Sequence, residues 1–390
     1  MRTVTIVGAS LAGLYAAREL RAQGFDGRLV VVGDEPHPPY DRPPLSKDFL
    51  TGRTDEDRLA LTDAEESAEL DAEWLLGVRA RGLDTRARTV LLADGRTLTT
   101  DGLVIATGAT ARRLPGAPAD VHTLRTLEDA RALRARLTEG ARRVVVIGGG
   151  FIGAETAAAC AALGHDVTVL EAAPLPLLPQ LGPEMAAACA TLHHRGGVRL
   201  RTDTGVTSLR RTGSATAVEL ADGHTLTADI VITGIGAVPN TAWLAGSTLA
   251  LGDGVLCDDG CATALPQVVA VGDVARAGGT RAEHWTSATE QPRVAVTNLL
   301  AGRTLATRRP VPYFWSDQYG SRIQFAGRYR TGDTVRVTEG ELLDESPGEA
   351  GFLARYERDG ETVAVLAVDR PRPFTRARRE LGRTTATATR

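Results

Sequence analysis

The chain has 390 residues, of which 43% are hydrophobic and 24% charged, with a formal net charge of −3. That length exceeds one core and suits two or three domains, and the near-neutral balance gives no overall pull toward nucleic acid or membrane. No apolar run reaches the roughly 20 residues of a membrane helix, and Met1 leads straight into an apolar strand, so neither membrane segment nor leader is expected and the cytoplasm is the expected location.

In chain order, strand 4–7 breaks into Gly8-Ala9-Ser10-Leu11-Ala12-Gly13, and a helix is predicted from about 11 to 23. Gly-x-Ser-x-x-Gly between a buried strand and a helix is a dinucleotide fingerprint. Its first glycine turns the chain, the central small residue lets backbone approach a pyrophosphate, and the last lets helix pack on strand. The helix N-terminus offers N–H groups and positive dipole to the anion. Strand 29–32 ends in Gly33-Asp34-Glu35, an acidic pair at the distance where adenosine ribose hydroxyls are held; a solvated strand end is the alternative.

After Pro-rich 37–44, Leu45-Ser46-Lys47 is read as opening a helix, and acidic 54–73 as a surface helical connection. Residues 89–98, turning at Asp94-Gly95, read as a hairpin. Leu103-Val104-Ile105 is a buried strand running into Ala106-Thr107-Gly108, beside the first nucleotide. Of 45 basic residues only Lys47 is a lysine. Compact ammonium and planar guanidinium are not interchangeable in a tight site, which singles Lys47 out.

The pattern then repeats. A helix over 127–139 precedes strand 144–147, the turn Gly148-Gly149-Gly150-Phe151-Ile152-Gly153, an Ala-rich helix, and strand 166–170 ending in Glu171. An Asp222-Gly223 hairpin, strand 229–232 into Gly234-Ile235-Gly236, and strand 268–271 into Gly272-Asp273-Val274 follow. From Val311 onward alternating strands suggest a small α+β domain, and the last 21 residues carry seven arginines against one glutamate. Two dinucleotide turns in one chain imply two bound nucleotides, for which a redox flavoenzyme is the natural reason. Four cysteines, Cys160, Cys189, Cys257 and Cys261, are too scattered for a disulfide scaffold or a metal site, and no metal is expected.

These pieces resemble the FAD-dependent, NADH-linked ferredoxin reductases of the glutathione-reductase superfamily, in particular the putidaredoxin-reductase type that serves bacterial cytochromes P450 and aromatic-ring dioxygenases. The marks are Arg42-Pro43-Pro44-Leu45-Ser46-Lys47, Ala106-Thr107-Gly108, Leu124-Arg125-Thr126, Gly150-Phe151-Ile152-Gly153-Ala154-Glu155, Gly234-Ile235-Gly236-Ala237-Val238-Pro239-Asn240, Val271-Gly272-Asp273-Val274, Glu283-His284-Trp285 and Tyr313-Phe314-Trp315-Ser316-Asp317-Gln318-Tyr319. The resemblance implies an α/β fold with two Rossmann-like nucleotide-binding domains, each a three-layer ββα arrangement, and an α+β C-terminal domain. The expected boundaries are 1–113 with 239–309 for FAD, 114–238 for NAD, and 310–390 for the last domain.

By the same resemblance Gly8, Ser10, Ala12 and Gly13 cradle the FAD pyrophosphate, and Asp34 and Glu35 hold its ribose. Ala80 meets the adenine, Asp273 holds the ribityl chain, Ala106, Thr107, Gly108 and Gly272 bind the cofactor, and Trp285 lies over the flavin's pyrimidine edge. Lys47 and Arg125 supply charge near the ring, Arg42 also binds the cofactor, and Lys47, Glu155 and Trp285 are the catalytic set. Gly148, Gly150, Phe151, Ile152, Gly153, Glu155, Glu171, Gly234, Ile235 and Gly236 hold NAD, and the carboxylate of Glu171 favours NADH over NADPH. The alternatives are a dipole-stabilising acid for Glu155, a surface charge for Arg125 and ordinary core for Trp285. The implied reaction passes hydride from NADH to FAD, then single electrons to a small iron–sulfur ferredoxin, an activity of the EC 1.18.1 type. With no cysteine before Cys160, a disulfide reductase is disfavoured. The remaining alternatives are an NADH oxidase-like or apoptosis-inducing-factor-like flavoprotein that reduces oxygen or quinones or uses its redox state to control binding, and a non-enzymatic nucleotide-binding module. The Arg-rich end (Arg370, Arg372, Arg376, Arg378, Arg379) is either a solvated tail or part of a surface for an acidic ferredoxin.

Overall fold

The computed structural model describes residues 1–307, 311–344 and 351–387. The chain forms two compact units, one of Met1–Asp41, Asp57–Thr110 and Val238–Pro312, the other of Arg42–Glu56, Ala111–Ala237 and Tyr313–Arg390.

In the first unit five parallel strands lie in the order Val268–Ala270, Gly102–Ile105, Thr3–Val7, Arg28–Val32, Ala72–Leu75. The near-continuous Val/Ile/Leu composition of all but the last follows from burial on both faces. Period-two alternation sends Val4, Ile6, Leu29, Val31 and Val104 toward the helices Leu11–Ala22 and Trp285–Ala301. Val7, Val30, Val32, Leu103 and Ile105 face the other way, against Ala80, Val90 and Leu92. Those three belong to the antiparallel meander Ala80–Asp84, Thr89–Leu92, Thr97–Thr99, so the unit has the three expected layers.

The second unit repeats the plan with parallel strands ordered Arg199–Arg201, Asp166–Leu170, Arg143–Ile147, Ile230–Thr233. Its meander is Val206–Thr212, Ala215–Leu220, Thr225–Ala228. The helix Leu127–Leu137 starts on a capping box between Thr126 and Asp129. Five antiparallel strands then form a sheet ordered Tyr313–Gln318, Ser321–Gly327, Glu361–Val368, Phe352–Arg358, Thr334–Gly340. It shares a core with the helix Leu178–Arg195 through Leu181, Met185, Phe325, Phe352 and Tyr356.

Three local readings are corrected. Residues 54–73 are not one helical connection: only Ala64–Glu69 is α-helical, Asp71 turns the chain at φ 43°, and Ala72–Leu75 is the edge strand of the first sheet. Lys47 does not open a helix but closes a 3₁₀ turn over Pro43–Ser46, its N–H on the Pro44 carbonyl. The Arg-rich end is no solvated tail through residue 387; Pro371–Thr387 is a helix that buries Phe374 and Ala377. Among the described residues no helix is long and apolar enough to cross a membrane.

Candidate active site

The first glycine turn is dictated by backbone crowding. Gly8 adopts φ +121°, and a Cβ there would stand 2.0 Å from the Ala106 carbonyl oxygen; one on Gly13 would stand 1.8 Å from that of Gly8. Only glycine lets strand, turn and helix cross this closely. The same crowding brings the Ala106-Thr107-Gly108 strand end onto the turn, where Asn240 ties it down: its amide donates to the Thr107 carbonyl at 2.8 Å, and the Thr107 hydroxyl donates to the Asn240 carbonyl at 2.9 Å. A Cβ on Gly272 would lie 2.8 Å from that of Ala12, so the Gly272–Val274 turn, and with it half-buried Asp273, sits against the same helix. The Gly272 N–H is held by the Gln291 side chain at 2.7 Å.

Asp34, at the end of the second strand, receives a two-pronged contact from Arg79 at 2.6 and 3.1 Å, one residue before buried Ala80. Glu35 accepts from the Tyr40 hydroxyl at 2.5 Å. Both carboxylates thus stand beside the glycine turn with protein partners of their own. Trp285 is half-buried rather than core; its indole N–H donates to Asp41 at 3.1 Å, and its ring meets Tyr15 edge-on at 6.5 Å.

In the second unit Gly148 adopts φ +101°, a Cβ on it would lie 2.4 Å from the Gly234 carbonyl oxygen, and one on Gly153 would lie 2.0 Å from that of Gly148. Gly234, Ile235 and Gly236 are thereby brought to the turn. Gly150 is different. Its φ is −67°, and the nearest atom to an added Cβ is 3.9 Å away, so nothing in the chain itself demands glycine there. That free space above a helix start without a side-chain cap suits the close approach of a pyrophosphate. Glu171 folds onto the turn, accepting the N–H groups of Gly149 at 2.8 Å and Ala173 at 2.9 Å. Of the two residues opening the helix, Phe151 packs on Phe314 at 4.4 Å while Ile152 is 45% exposed.

Five residues into the helix Phe151–Ala162 stands Glu155, only 4% exposed, so it is no surface acid stabilising the helix dipole. One carboxylate oxygen accepts from Lys47 Nζ at 2.7 Å and from the Ser46 hydroxyl at 2.5 Å; the other accepts from the Ser316 hydroxyl at 2.7 Å. A buried ion pair is tolerable only when its remaining bonding capacity is met, and here it is. Arg42 donates to the Arg125 carbonyl at 2.5 Å, and the Arg125 N–H is held by Asp129 at 3.0 Å, so the backbone of Arg125 is fixed from both sides.

Sequence reading missed Ser46, Ser316, Gln318, Asn240 and Asp41. A signal existed for Ser316 and Gln318: alternation along Tyr313–Gln318 places them with buried Phe314 on the inward face, where polar side chains need a reason. Burial pushes the thiols of Cys160, Cys189 and Cys257 up to about 12 and that of Cys261 higher still, which makes all four poor nucleophiles.

The family profile described as pyridine nucleotide-disulphide oxidoreductase matches residues 2–292, and one described as reductase C-terminal matches 313–390. The chain belongs to the pyridine nucleotide-disulphide oxidoreductase family. It is 38% identical to the anthranilate 1,2-dioxygenase system ferredoxin–NAD(+) reductase component of Burkholderia cepacia, over 96% of this chain and 92% of that one. It is 34% identical to putidaredoxin reductase of Pseudomonas putida, over 96% and 91%. Among solved structures, the covalent putidaredoxin reductase–putidaredoxin complex superimposes with TM-score 0.89 at 34% identity, covering 97% of this chain and 93% of that one. Within this pyridine nucleotide-disulphide oxidoreductase the Pro43–Lys47 segment carries a lysine and no cysteine.

Proposed function

We propose that this flavoprotein is an NADH-dependent ferredoxin reductase of the EC 1.18.1 type, holding FAD and delivering electrons to a small iron–sulfur ferredoxin that feeds a cytochrome P450 or an aromatic-ring dioxygenase. The observation that carries the reading is the pair of similarly built glycine turns in one chain whose lysine, Lys47, paired with Glu155, stands in a Pro43–Lys47 segment without cysteine. It is supported by end-to-end similarity to reductases named for that task.

FAD is assigned to residues 1–113 and 239–309, NAD to 114–238, with 310–390 as the C-terminal domain. The turn N–H groups from Gly8 to Gly13, including those of Ser10 and Ala12, bind the FAD pyrophosphate. Asp34 and Glu35 orient the ribose, Ala80 meets the adenine, Ala106 to Gly108 and Gly272 line the site, and Asp273 holds the ribityl hydroxyls. Trp285, steadied by Asp41 and Tyr15, lies over the ring edge, and Arg42, Lys47 and Arg125 supply positive charge. FAD held there would supply hydride acceptance from the nicotinamide and release of electrons one at a time. Gly148, Gly150 and Gly153 let backbone approach the NADH pyrophosphate, with Phe151, Ile152, Gly234, Ile235 and Gly236 lining that site and Glu155 near the nicotinamide. Glu171 keeps lone pairs for a ribose 2′-OH, and no arginine or lysine in 172–180 invites a 2′-phosphate. Exposed Arg372 and Arg379 give the helix Pro371–Thr387 a basic face suited to an acidic ferredoxin. A cytoplasmic location fits an enzyme that draws on NADH and keeps four reduced thiols.

The test is anaerobic rapid mixing of the purified yellow protein with NADH, followed by a small ferredoxin or by oxygen. Bleaching by NADH in preference to NADPH, then transfer to ferredoxin faster than to oxygen and slowed by salt, is expected. Protein that remains colourless when FAD is offered, or that passes its electrons to oxygen alone, overturns the reading.

A further inference from the structure

In the first unit three stretches of chain converge on one guanidinium. Strand Thr280–Arg281 pairs back on Ala275–Ala277, in register Arg276 with Arg281, and so returns Arg281 to the turn Gly272–Val274. Its Nη1 donates to the Asp273 carbonyl at 3.4 Å and to the Glu283 carboxylate, and its Nη2 meets Asp253 at 3.2 Å. Asp253 and Gly254 both take left-handed backbone, φ 42° and +119°. A Cβ on Gly254 would stand 2.6 Å from the Val274 carbonyl oxygen and 3.3 Å from Arg281 Cδ, so this third stretch presses on the turn and on the arginine stem together.

The two ion pairs do not account for an arginine in this place. The carboxylates of Asp253 and Glu283 are 61% and 36% exposed, against 13% for Arg281, and pairs with exposed partners return little stability. The guanidinium meanwhile sits at a cost, since among the described residues its Nε is buried without a hydrogen-bond partner. What the group does that a smaller side chain could not is reach the turn. That turn is gripped at both ends: Gln291, on the helix Trp285–Ala301, accepts the Gly272 N–H at 2.7 Å, and Arg281 holds the Asp273 carbonyl. Glu283 lies two residues before Trp285, so one side chain ties the turn of Asp273 to the stretch that opens this helix.

We propose that Arg281 is a positioning residue for the cofactor: by holding the Asp273 carbonyl it fixes the backbone from which the Asp273 carboxylate meets the ribityl hydroxyls. This rests on the proposed FAD site, and every residue involved lies in the first unit. The planar fork matters, because it serves a carbonyl and two carboxylates at once, which a compact ammonium cannot. Arg281 acts through Asp273, so its effect on FAD depends on that carboxylate being present.

The experiment titrates FAD into the full chain, freed of its flavin, and follows flavin fluorescence for Arg281→Met, Asp273→Ala and the double variant. Methionine keeps the stem against Gly254, and the two exposed carboxylates are not stranded by losing the cation. Arg281→Met is expected to raise the Kd for FAD roughly fivefold. In the Asp273→Ala background the same substitution should change it by less than about twofold, as the coupling of residues that act together requires. Arg281→Lys, with an expected loss of about threefold that likewise vanishes in Asp273→Ala, decides the matter if Arg281→Met does not fold. An unchanged Kd, or an equal loss with and without the Asp273 carboxylate, overturns the proposal and leaves the reductase reading intact. A wild-type chain that takes up no FAD fails that reading itself, and the proposal with it.

Discussion

The two glycine turns share their first and last glycines and differ in the side chains between and beyond them. In each, the first and last glycines are forced by carbonyl oxygens lying about 2 Å from where a Cβ would sit. The third position is Ser10 in one and open Gly150 in the other, and the residue two past the last glycine is Tyr15 in one and Glu155 in the other. Tyr15 meets the edge of Trp285, whereas Glu155 is buried in an ion pair. A duplicated scaffold thus keeps the parts that shape the turn. It varies the side chains around the turn, an aromatic contact in one unit and a buried ion pair in the other.

The comparison breaks most visibly at the glycines. Gly13→Ala drives a methyl into the Gly8 carbonyl and should destabilise the first unit by about 3 kcal/mol or more, seen as lost yellow colour and early thermal unfolding. Gly150→Ala should melt like wild type yet bind NADH roughly tenfold more weakly, as read by titration calorimetry. Wild-type NADH affinity in Gly150→Ala would mean that the open space serves no ligand.

The fixed charge comes next. Lys47→Met leaves Glu155 buried without its counter-ion, at a cost of about 3–5 kcal/mol in chemical unfolding, and should slow flavin reduction. Tyr15→Phe, at the corresponding place in the first turn, should shift stability by no more than about 0.5 kcal/mol. Retained stability and an unchanged reduction rate in Lys47→Met would remove Lys47 from its role.

Acid should separate the units by a smaller margin. His193, 1% exposed and 2.7 Å from the Tyr319 hydroxyl, is held by burial at about 4, against 6.5 for the free group. The folded state therefore binds fewer protons between those values. Stability from this residue is whole above 6.5 and is lost as pH falls toward about 4, by up to roughly 3 kcal/mol. Urea midpoints of wild type and His193→Gln, measured at neutral pH and near the folded pKa, should diverge; parallel acid sensitivity in both would assign the loss elsewhere.

Strands, turns and three-layer units were legible because their signals are local: β-branched runs covered on both faces, glycines at fixed spacing, Asp-Gly hairpins. The strand Ala72–Leu75 was not, since its four residues follow an acidic helix and only pairing with Arg28–Val32 makes them a strand. At the site, motif residues were legible one by one, but their partnerships were not. Glu155 finds Ser46 at a separation of 109 residues and Ser316 at 161, distances over which neither periodicity nor spacing carries a signal. The Glu171 contact with Gly149 was hidden for a different reason, because a carboxylate at a strand end looks the same whether it faces solvent or the adjoining turn.

The solitary lysine has a practical consequence. Its side chain is 16% exposed and already bound to Glu155. Amine-directed chemistry on the native fold is therefore confined to the amino terminus. Succinimidyl dyes and biotin should attach at one position, giving a uniformly oriented sample for surface measurements. Carbodiimide joining to a carboxylate-rich partner should fail at side chains, so a covalent complex of this chain calls for an introduced cysteine and a thiol linker.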